Sequence, residues 1–165
     1  MALTLHSSDF EDGDYLGADH ILAEEYGFGC AGGNRSPQLA WSGAPEGTRS
    51  YAVTCYDPDA PTGSGFWHWV VVNIPAGTSE LAAGAGDGSG IPGGALQTRT
   101  DFGQPGYGGP CPPEGDHPHR YLFTVHAVGV DALPVDADTM PAVVGFMLHF
   151  NTLEKATLMG LYKRR

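Results

Sequence analysis

The sequence predicts a mostly β fold, an antiparallel β-sandwich with one or two short helices. Apolar residues recur mainly with period two, in short runs that clusters of Gly, Pro, Asp and Ser separate. The 165 residues suit a single domain over residues 1–165 with one substantial core. This pattern favours a sandwich over alternating β and α units.

The expected elements follow from these runs. Strands are predicted near residues 1–5, 37–42, 50–57, 66–74, 95–98, 119–130 and 156–163. A helix is predicted after Asp138 or Thr139 as N-cap, with Pro141 in its first turn. Its apolar positions are Val143, Val144, Met147, Leu148 and Leu153, and this face should lie on the edge of the sandwich. The Gly- and Pro-rich segment 76–113 is expected to be a long ordered loop.

Charge and composition restrict the partners. The formal net charge of −11 disfavours binding to nucleic acid and stable association with anionic membranes. The segment MALTLHSSDFEDGDYLG lacks the basic and apolar regions of a secretory signal, and no run approaches the roughly 20 apolar residues of a membrane span. A cytoplasmic location is therefore expected.

The three cysteines are Cys30, Cys55 and Cys111. Their odd number and the lack of a CxxC spacing argue against a disulfide framework and against a cysteine-based zinc site. We expect all three to be thiols packed as small hydrophobic side chains.

Two polar groups interrupt neighbouring strands. In SYAVTCYD, alternation places Asp57 on the face of Val53 and Cys55, and the following PDAP ends the strand. Asp57 and Asp59 at such an end are commonly the acids of an Asx turn.

In FWHWVVVNIP, residues 66–75, alternation places His68 on the face of Val70 and opposite Trp67. The short connection should bring His68 to Asp57, which would fix its tautomer and raise its pKa, although a lone His is more often a satisfied core residue.

A third segment, GPCPPEGDHPHRYLFTVHAV at 109–128, leads into a strand with His119 and Tyr121 on one face and Arg120 on the other. Three strand ends could then present an acid, two imidazoles and a phenol around one opening. The set is Asp57, His68, His119 and Tyr121, with Pro61, Trp67 and Pro112 as apolar walls. A hollow with a few convergent polar groups is the usual form of a small-ligand pocket.

These segments resemble the phosphatidylethanolamine-binding protein family, also called Raf kinase inhibitor-like proteins, in its short bacterial form. The resemblance rests on DPDAP at 57–61, the FWHWVVVNIP segment and GPCPPEGDHPHRYLF, in this order. It extends to GGNRSPQLAWSGAPEGTRSYAV at 32–53, GGALQTRTDFGQPGYGGP at 93–110 and the closing ATLMGLYKRR, and so covers most of the chain.

The resemblance implies a β-sandwich whose cavity accepts phosphate-like anions, including the head group of phosphatidylethanolamine. It places the family's pocket aspartate at Asp57, its histidines at His68 and His119, and its tyrosine at Tyr121, with a rim at 109–113. It also implies a homodimer. Eukaryotic members cover the pocket with a C-terminal helix, whereas this chain stops at Arg165 soon after its last strand.

The full set of expected ligand-binding residues combines these considerations. Protonated His68 and His119 would be charged donors, and Tyr121 and the N–H groups of loop 106–111 neutral ones, so anion affinity should fall as pH rises. The set is Asp57, Asp59, Pro61, Trp67, His68, Tyr107, Gly108, Gly109, Cys111, Pro112, His119 and Tyr121. No cofactor is expected, and no metal, because His68, His117, His119 and Asp57 follow no known metal-binding spacing.

Three classes of function remain open. The leading one is a binding protein for a small phosphate-like anion. The second is an acid–base enzyme acting on a metabolite by dehydration, cyclisation or proton transfer, with Asp57, His68, His119 and Tyr121 as catalytic residues. The third is a regulatory interaction with a kinase or similar partner. Nucleophilic catalysis is disfavoured because no GxSxG motif is present.

Overall fold

The structure, a computed structural model, describes residues 2–164 and confirms the mostly β fold. Two sheets are present in this range, and all their strand pairs are antiparallel. The smaller sheet has the order β1-β2-β5, with β1 Thr4–His6, β2 Leu39–Ser42 and β5 Glu80–Leu81. The larger has the order β6-β4-β3-β7-β8, with β3 Ser50–Asp57, β4 Phe66–Pro75, β6 Leu96–Gln97, β7 His119–Val128 and β8 Thr152–Tyr162.

The helical part is small. One α-helix, α1, spans Pro141–Asn151, and single 3₁₀ turns lie at Ala18–His20, Glu24–Tyr26 and Ala85–Asp87. No helix within residues 2–164 has the length and apolar character needed to cross a bilayer.

Two apolar cores lie on the two faces of the larger sheet. The first fills the space between the sheets and includes Trp41, Trp69 and Phe123. The second packs Val70 and Val72 against Val144 and Leu148 of α1. The helix therefore covers the outer face of the larger sheet, and the expected position on the sandwich edge is wrong. A face that carries its own row of valines can be buried only by a further layer.

The predicted N-cap of α1, Asp138 or Thr139, is one or two residues early. Its N-cap is Met140, with no side-chain cap, because Thr139 is engaged in the preceding turn: its hydroxyl accepts the Asp136 N–H at 3.0 Å. Pro141 occupies the first turn of the helix as predicted. Leu153 lies in β8 rather than in the helix.

A β-bulge in β4 changes the direction of His68. Cys55 pairs with Trp69 and Tyr56 with Trp67, so His68 is an extra residue opposite one step of β3. Its ring lies 5.3 Å from that of Tyr121, on the side of the inner core. The ring of Trp67 turns outward towards α1 and packs with the outer core. Strict alternation predicts His68 on the face of Val70, which belongs to the outer core, and Trp67 on the other face. Both predictions are wrong.

A disulfide joins Cys30 to Cys111, with their Cα atoms 6.0 Å apart and a sequence separation of 81. The prediction of three free thiols is therefore wrong for these two, whereas Cys55 is a buried free thiol as expected. The loops that carry the bonded cysteines run side by side, since the Leu22 N–H donates to Pro110 O at 3.1 Å. Sequence spacing alone could not show this contact.

Candidate functional site

A cavity of about 150 Å³ opens where β3, β4 and β7 reach the same end of the larger sheet. Its ionisable side chains come from the strand ends, and loops supply most of the apolar lining. The residues around it are Phe28, Asp57, Ala60, Pro61, Thr62, Phe66, His68, Phe102, Cys111, Pro112, Pro113, His119 and Tyr121.

Asp57 ends β3 and is 2 % exposed. One carboxylate oxygen accepts the Asp59 N–H at 2.7 Å, as in the Asx turn considered from the sequence. The other accepts from His119 Nδ1, also at 2.7 Å. Both oxygens are thus oriented, and a buried carboxylate held in this way positions the imidazole beside it.

His119, the first residue of β7, is 1 % exposed and lies between two carboxylates. Its Nδ1 faces Asp57, and its Nε2 lies 2.9 Å from Asp116 Oδ2. Burial lowers the pKa of His119, but the hydrogen bonds and negative charges of Asp57 and Asp116 outweigh it and raise the pKa above its ordinary value. The structure therefore favours an imidazolium with two donating nitrogens.

His68 behaves in the opposite way. Its Nδ1 lies 2.7 Å from Gly108 O, and because a carbonyl only accepts, Nδ1 carries the hydrogen. Burial lowers the pKa of His68, and the neighbouring Gly108 carbonyl and Asp57 charge offset this only in part. The neutral ring thus keeps Nε2 as an acceptor. The expectation that Asp57 holds His68 and raises its pKa is wrong, since Asp57 pairs with His119.

Tyr121 completes the polar set and is 1 % exposed. Burial and the negative charge of Asp57 raise the pKa of Tyr121 far above its ordinary value. The phenol therefore stays protonated at any physiological pH and can donate a hydrogen bond.

Three phenylalanines outside the expected ligand-binding set form the aromatic wall. The Phe102 ring lies 4.8 Å from Phe66 and 5.4 Å from His68, and Phe28 lies 5.8 Å from Phe102. Phe66 is the first residue of the FWHWVVVNIP segment and Phe102 lies in GGALQTRTDFGQPGYGGP. Both segments belong to the family resemblance. No pattern pointed to Phe28, because a loop carries it to the cavity.

Seven of the twelve expected ligand-binding residues line the cavity: Asp57, Pro61, His68, Cys111, Pro112, His119 and Tyr121. The other five do not. Asp59 makes a paired contact with the Arg120 guanidinium at 2.9 and 3.0 Å, and Trp67 faces α1. The Tyr107 hydroxyl donates to His20 O at 2.8 Å. The Gly108 N–H donates to His68 O and the Gly109 N–H to Asn34 Oδ1, so neither is a free donor for an anion.

No set of three or more His, Cys, Asp or Glu side chains within residues 2–164 is arranged to hold a metal ion. The imidazole and carboxylate groups of the cavity bind one another and the backbone instead.

Comparisons with known proteins agree with this architecture. The family model described as phosphatidylethanolamine-binding protein matches residues 6–163. Two Escherichia coli K12 proteins are 51 % identical to the chain: YbcL over 98 % of this chain and 88 % of its own length, and YbhB over 97 % and 99 %. The crystal structure of E. coli YbcL, described as a member of the mammalian PEBP family, covers 100 % of both chains with a TM-score of 0.96 and 49 % identity.

A more distant structure has the same fold. The solved structure of a phosphatidylethanolamine-binding protein homologue from Chlamydia trachomatis covers 99 % of both chains, with a TM-score of 0.81 and 28 % identity. Because the family model spans nearly the whole chain and the relatives match over nearly all of it, the chain belongs to the phosphatidylethanolamine-binding protein family.

Proposed function

We propose that the cavity binds a small phosphate-like anion, such as a phosphorylated head group. The observation that carries the proposal is the imidazole of His119, held by Asp57 and favoured in its charged form. A cation on the wall of a largely apolar hollow attracts an anion more strongly than the same cation in water. The Tyr121 hydroxyl adds a neutral donor on the same lining.

The neutral His68 refines the ligand class. Its Nε2 can accept a hydrogen bond, so the best ligand offers a donor as well as anionic oxygens. A singly protonated phosphate meets both demands, and so does a phosphate ester with a neighbouring hydroxyl or amino group. The volume of about 150 Å³ suits such a group, and any larger remainder would extend past Phe28 and Pro113 into solvent.

Titration with inorganic phosphate by calorimetry tests this function. Affinity should be higher at about pH 5.5 than at about pH 8.5, because His119 loses its charge as pH rises. His119→Gln should weaken binding by roughly tenfold or more, the usual effect of losing a charge-assisted hydrogen bond. His117→Gln is the matched control, since the His117 ring lies 5.4 Å from His119 and outside the cavity lining. Equal affinities for wild type and His119→Gln would contradict the proposal.

Acid–base catalysis is a second candidate, because the cavity holds one imidazole that favours the charged form and one that favours the neutral form. His119 is favoured as an acid, and His68 as a neutral base through Nε2. A metabolite with a carbonyl or phosphate on His119 could lose a proton to His68. Incubation of wild type, His68→Gln and His119→Gln with metabolite pools tests this. Turnover by wild type that both substitutions abolish would support an enzyme. Unchanged pools would favour the anion-binding function instead.

The implied homodimer fits the outer face of α1. Phe146 and Phe150 are 66 % and 70 % exposed, with ring centroids 5.0 Å apart, and no Asp, Glu, Lys or Arg occurs in Pro141–Asn151. Two copies of a chain with net charge −11 repel each other, and this repulsion is weakest where the contacting face carries no charge. We propose that two copies pair through it. Phe146→Glu with Phe150→Glu should give a monomer by light scattering, whereas Tyr15→Glu, at a residue 57 % exposed, should not.

The expected cytoplasmic location has an observation against it. Disulfides such as Cys30–Cys111 persist in oxidising compartments and are rare in the reducing cytosol. We propose that the chain works where this bond can form. Alkylation of thiols in intact cells before lysis would decide: one reactive cysteine, Cys55 after denaturation, supports an oxidising site, and three support the cytosol.

A further inference from the structure

We propose that Asp116 is a tethered internal occupant of the anion position on His119, which an incoming anion must displace. The inference rests on the proposed function and concerns which anions reach His119 at the rim of the cavity, since Asp116 adjoins the lining residue Pro113 and is not itself part of the lining. Asp116 Oδ2 lies 2.9 Å from His119 Nε2, the ring nitrogen that Asp57 leaves free.

The two carboxylates on His119 differ in how firmly they are held. Asp57 is buried at a strand end and uses both oxygens, one on the Asp59 N–H and one on His119. The Asp116 side chain is 37 % exposed, and His119 is its only side-chain partner within residues 2–164. Asp57 therefore positions the imidazole, and Asp116 is the carboxylate that can leave.

The backbone around Asp116 allows it to leave. Residues 113–116 form a turn in which the Asp116 N–H donates to Pro113 O at 3.2 Å. Gly115 has φ of +86°, and no other part of the protein lies within 4 Å of where its Cβ would be. Because the Asp116 side chain is already partly exposed, it can rotate outward into solvent without disturbing β7.

Occupation by Asp116 and by a ligand is mutually exclusive, because one N–H donates well to one acceptor. A carboxylate three residues from His119 competes at a high effective concentration. Free monocarboxylates offer the same chemistry without the tether and should lose this competition. Sulfate or phosphate, with more charge and more acceptor oxygens, should win it. Asp116 thus selects for phosphate-like groups over carboxylates.

Removing Asp116 has two opposing effects. The competitor disappears, but His119 also loses one of the two carboxylates that favour its charged form. The titratable and charged groups around His119 are Asp57 on β3, Asp116 and His117 on the preceding loop, His68 and Tyr121 across the cavity, Tyr162 opposite on β8, and the nearby Asp59–Arg120 pair. At a pH where His119 is charged in both proteins, only the loss of the competitor remains.

Titrations with sulfate and with acetate test the proposal, since sulfate keeps its charge across the range used. We compare wild type, Asp116→Asn and Glu114→Gln at about pH 5.5 and about pH 7.5. Glu114→Gln removes the same charge from the same turn, where Glu114 faces Arg164 at 3.7 Å rather than the cavity. At the lower pH, Asp116→Asn should bind sulfate roughly three- to tenfold more tightly and should gain acetate binding. At the higher pH the gain should shrink or reverse, and Glu114→Gln should show neither change.

The outcomes separate this inference from the proposed function. If wild type binds sulfate and Asp116→Asn binds it no more tightly than Glu114→Gln at the lower pH, the inference is overturned and the anion site stands. If neither wild type nor Asp116→Asn binds sulfate or phosphate, the anion site itself is overturned. Nitrogen NMR of the His119 ring gives a ligand-free readout: the Nε2 signal should shift in Asp116→Asn and not in Glu114→Gln, and an unchanged signal would also refute the internal contact.

Discussion

His119 Nδ1 lies 2.7 Å from Asp57 Oδ2, and both side chains are almost completely withdrawn from water. The pair joins β7 to β3 at the end of the sheet where the cavity opens. Leaving one member of a buried pair without the other is costly, commonly about 3–5 kcal/mol. The relationship therefore links the stability of this end of the sheet to the charge on His119.

Asp57→Asn should lower the pKa of His119, because the carboxylate that favours the imidazolium is replaced by a neutral amide. A group with a raised folded pKa stabilises the fold fully below its unfolded pKa of about 6.5, and this contribution is lost as pH rises through the folded pKa. Asp57→Asn should therefore cost most, about 3 kcal/mol, near pH 6 and less at higher pH. Urea unfolding and an NMR titration of His119 measure both quantities. Asp59→Asn is the control, since Asp59 pairs with Arg120; an equal shift of the His119 pKa there would contradict the pairing.

Loss of the disulfide should destabilise the protein strongly. A cross-link that closes a loop of this size restricts the unfolded chain, and its removal typically costs about 2–5 kcal/mol. Wild type under a dithiol reductant and the Cys30→Ser, Cys111→Ser double variant should both show lower thermal midpoints. The reductant should leave the double variant unchanged. A wild-type midpoint that does not respond to reduction, with alkylation confirming free thiols, would show that the bond adds no stability.

His126, on β7, should make the fold sensitive to acid. Burial, with a smaller contribution from Lys155, lowers the pKa of His126 to about 4. A histidine with a lowered folded pKa costs stability as pH falls from its unfolded value of about 6.5 towards 4, because only the unfolded chain takes up the proton readily. His126→Gln should remove about 1–3 kcal/mol of this acid-dependent loss. The measurement is the slope of unfolding free energy against pH, with exposed His6→Gln as control. Equal slopes in all three proteins would contradict the effect.

Trp67 should affect stability but not ligand binding. It packs on the α1 side, where its ring would lie 3.5 Å from a Cβ at Gly145, and it does not line the cavity. Trp67→Phe should keep phosphate affinity within about twofold while lowering stability by about 1 kcal/mol. Phe102→Leu, which shortens the aromatic wall, should weaken binding several-fold. A large loss of affinity in Trp67→Phe would mean that the bulge does not turn this side chain away.

Most of the framework can be predicted from the sequence because period-two runs and their breakers are local signals. Strands 50–57 and 66–74 agree with the structure to within one residue, and Pro58 ends the first as expected. The convergence of Asp57, His68, His119 and Tyr121 also follows, since antiparallel neighbours bring strand ends together.

The errors lie where one extra residue or one long-range contact decides the outcome. Alternation cannot reveal a bulge, so it predicts the wrong faces for His68 and Trp67 and the wrong imidazole partner for Asp57. Spacing cannot show that two loops 81 positions apart lie side by side, so it does not predict the bond between Cys30 and Cys111. Phe28 reaches the cavity on one of these loops.

The Cys30–Cys111 bond also makes residues 30–111 a covalent ring that encloses β2 to β6. A protease that cuts once within the ring, for example in the Gly-rich stretch near residues 84–94, cannot release a fragment. The nicked chain would migrate as one species on a non-reducing gel and separate into two pieces only after reduction. After such a cut, Cys111 and Pro112 would still line the cavity, because the disulfide holds their loop to the loop of Cys30.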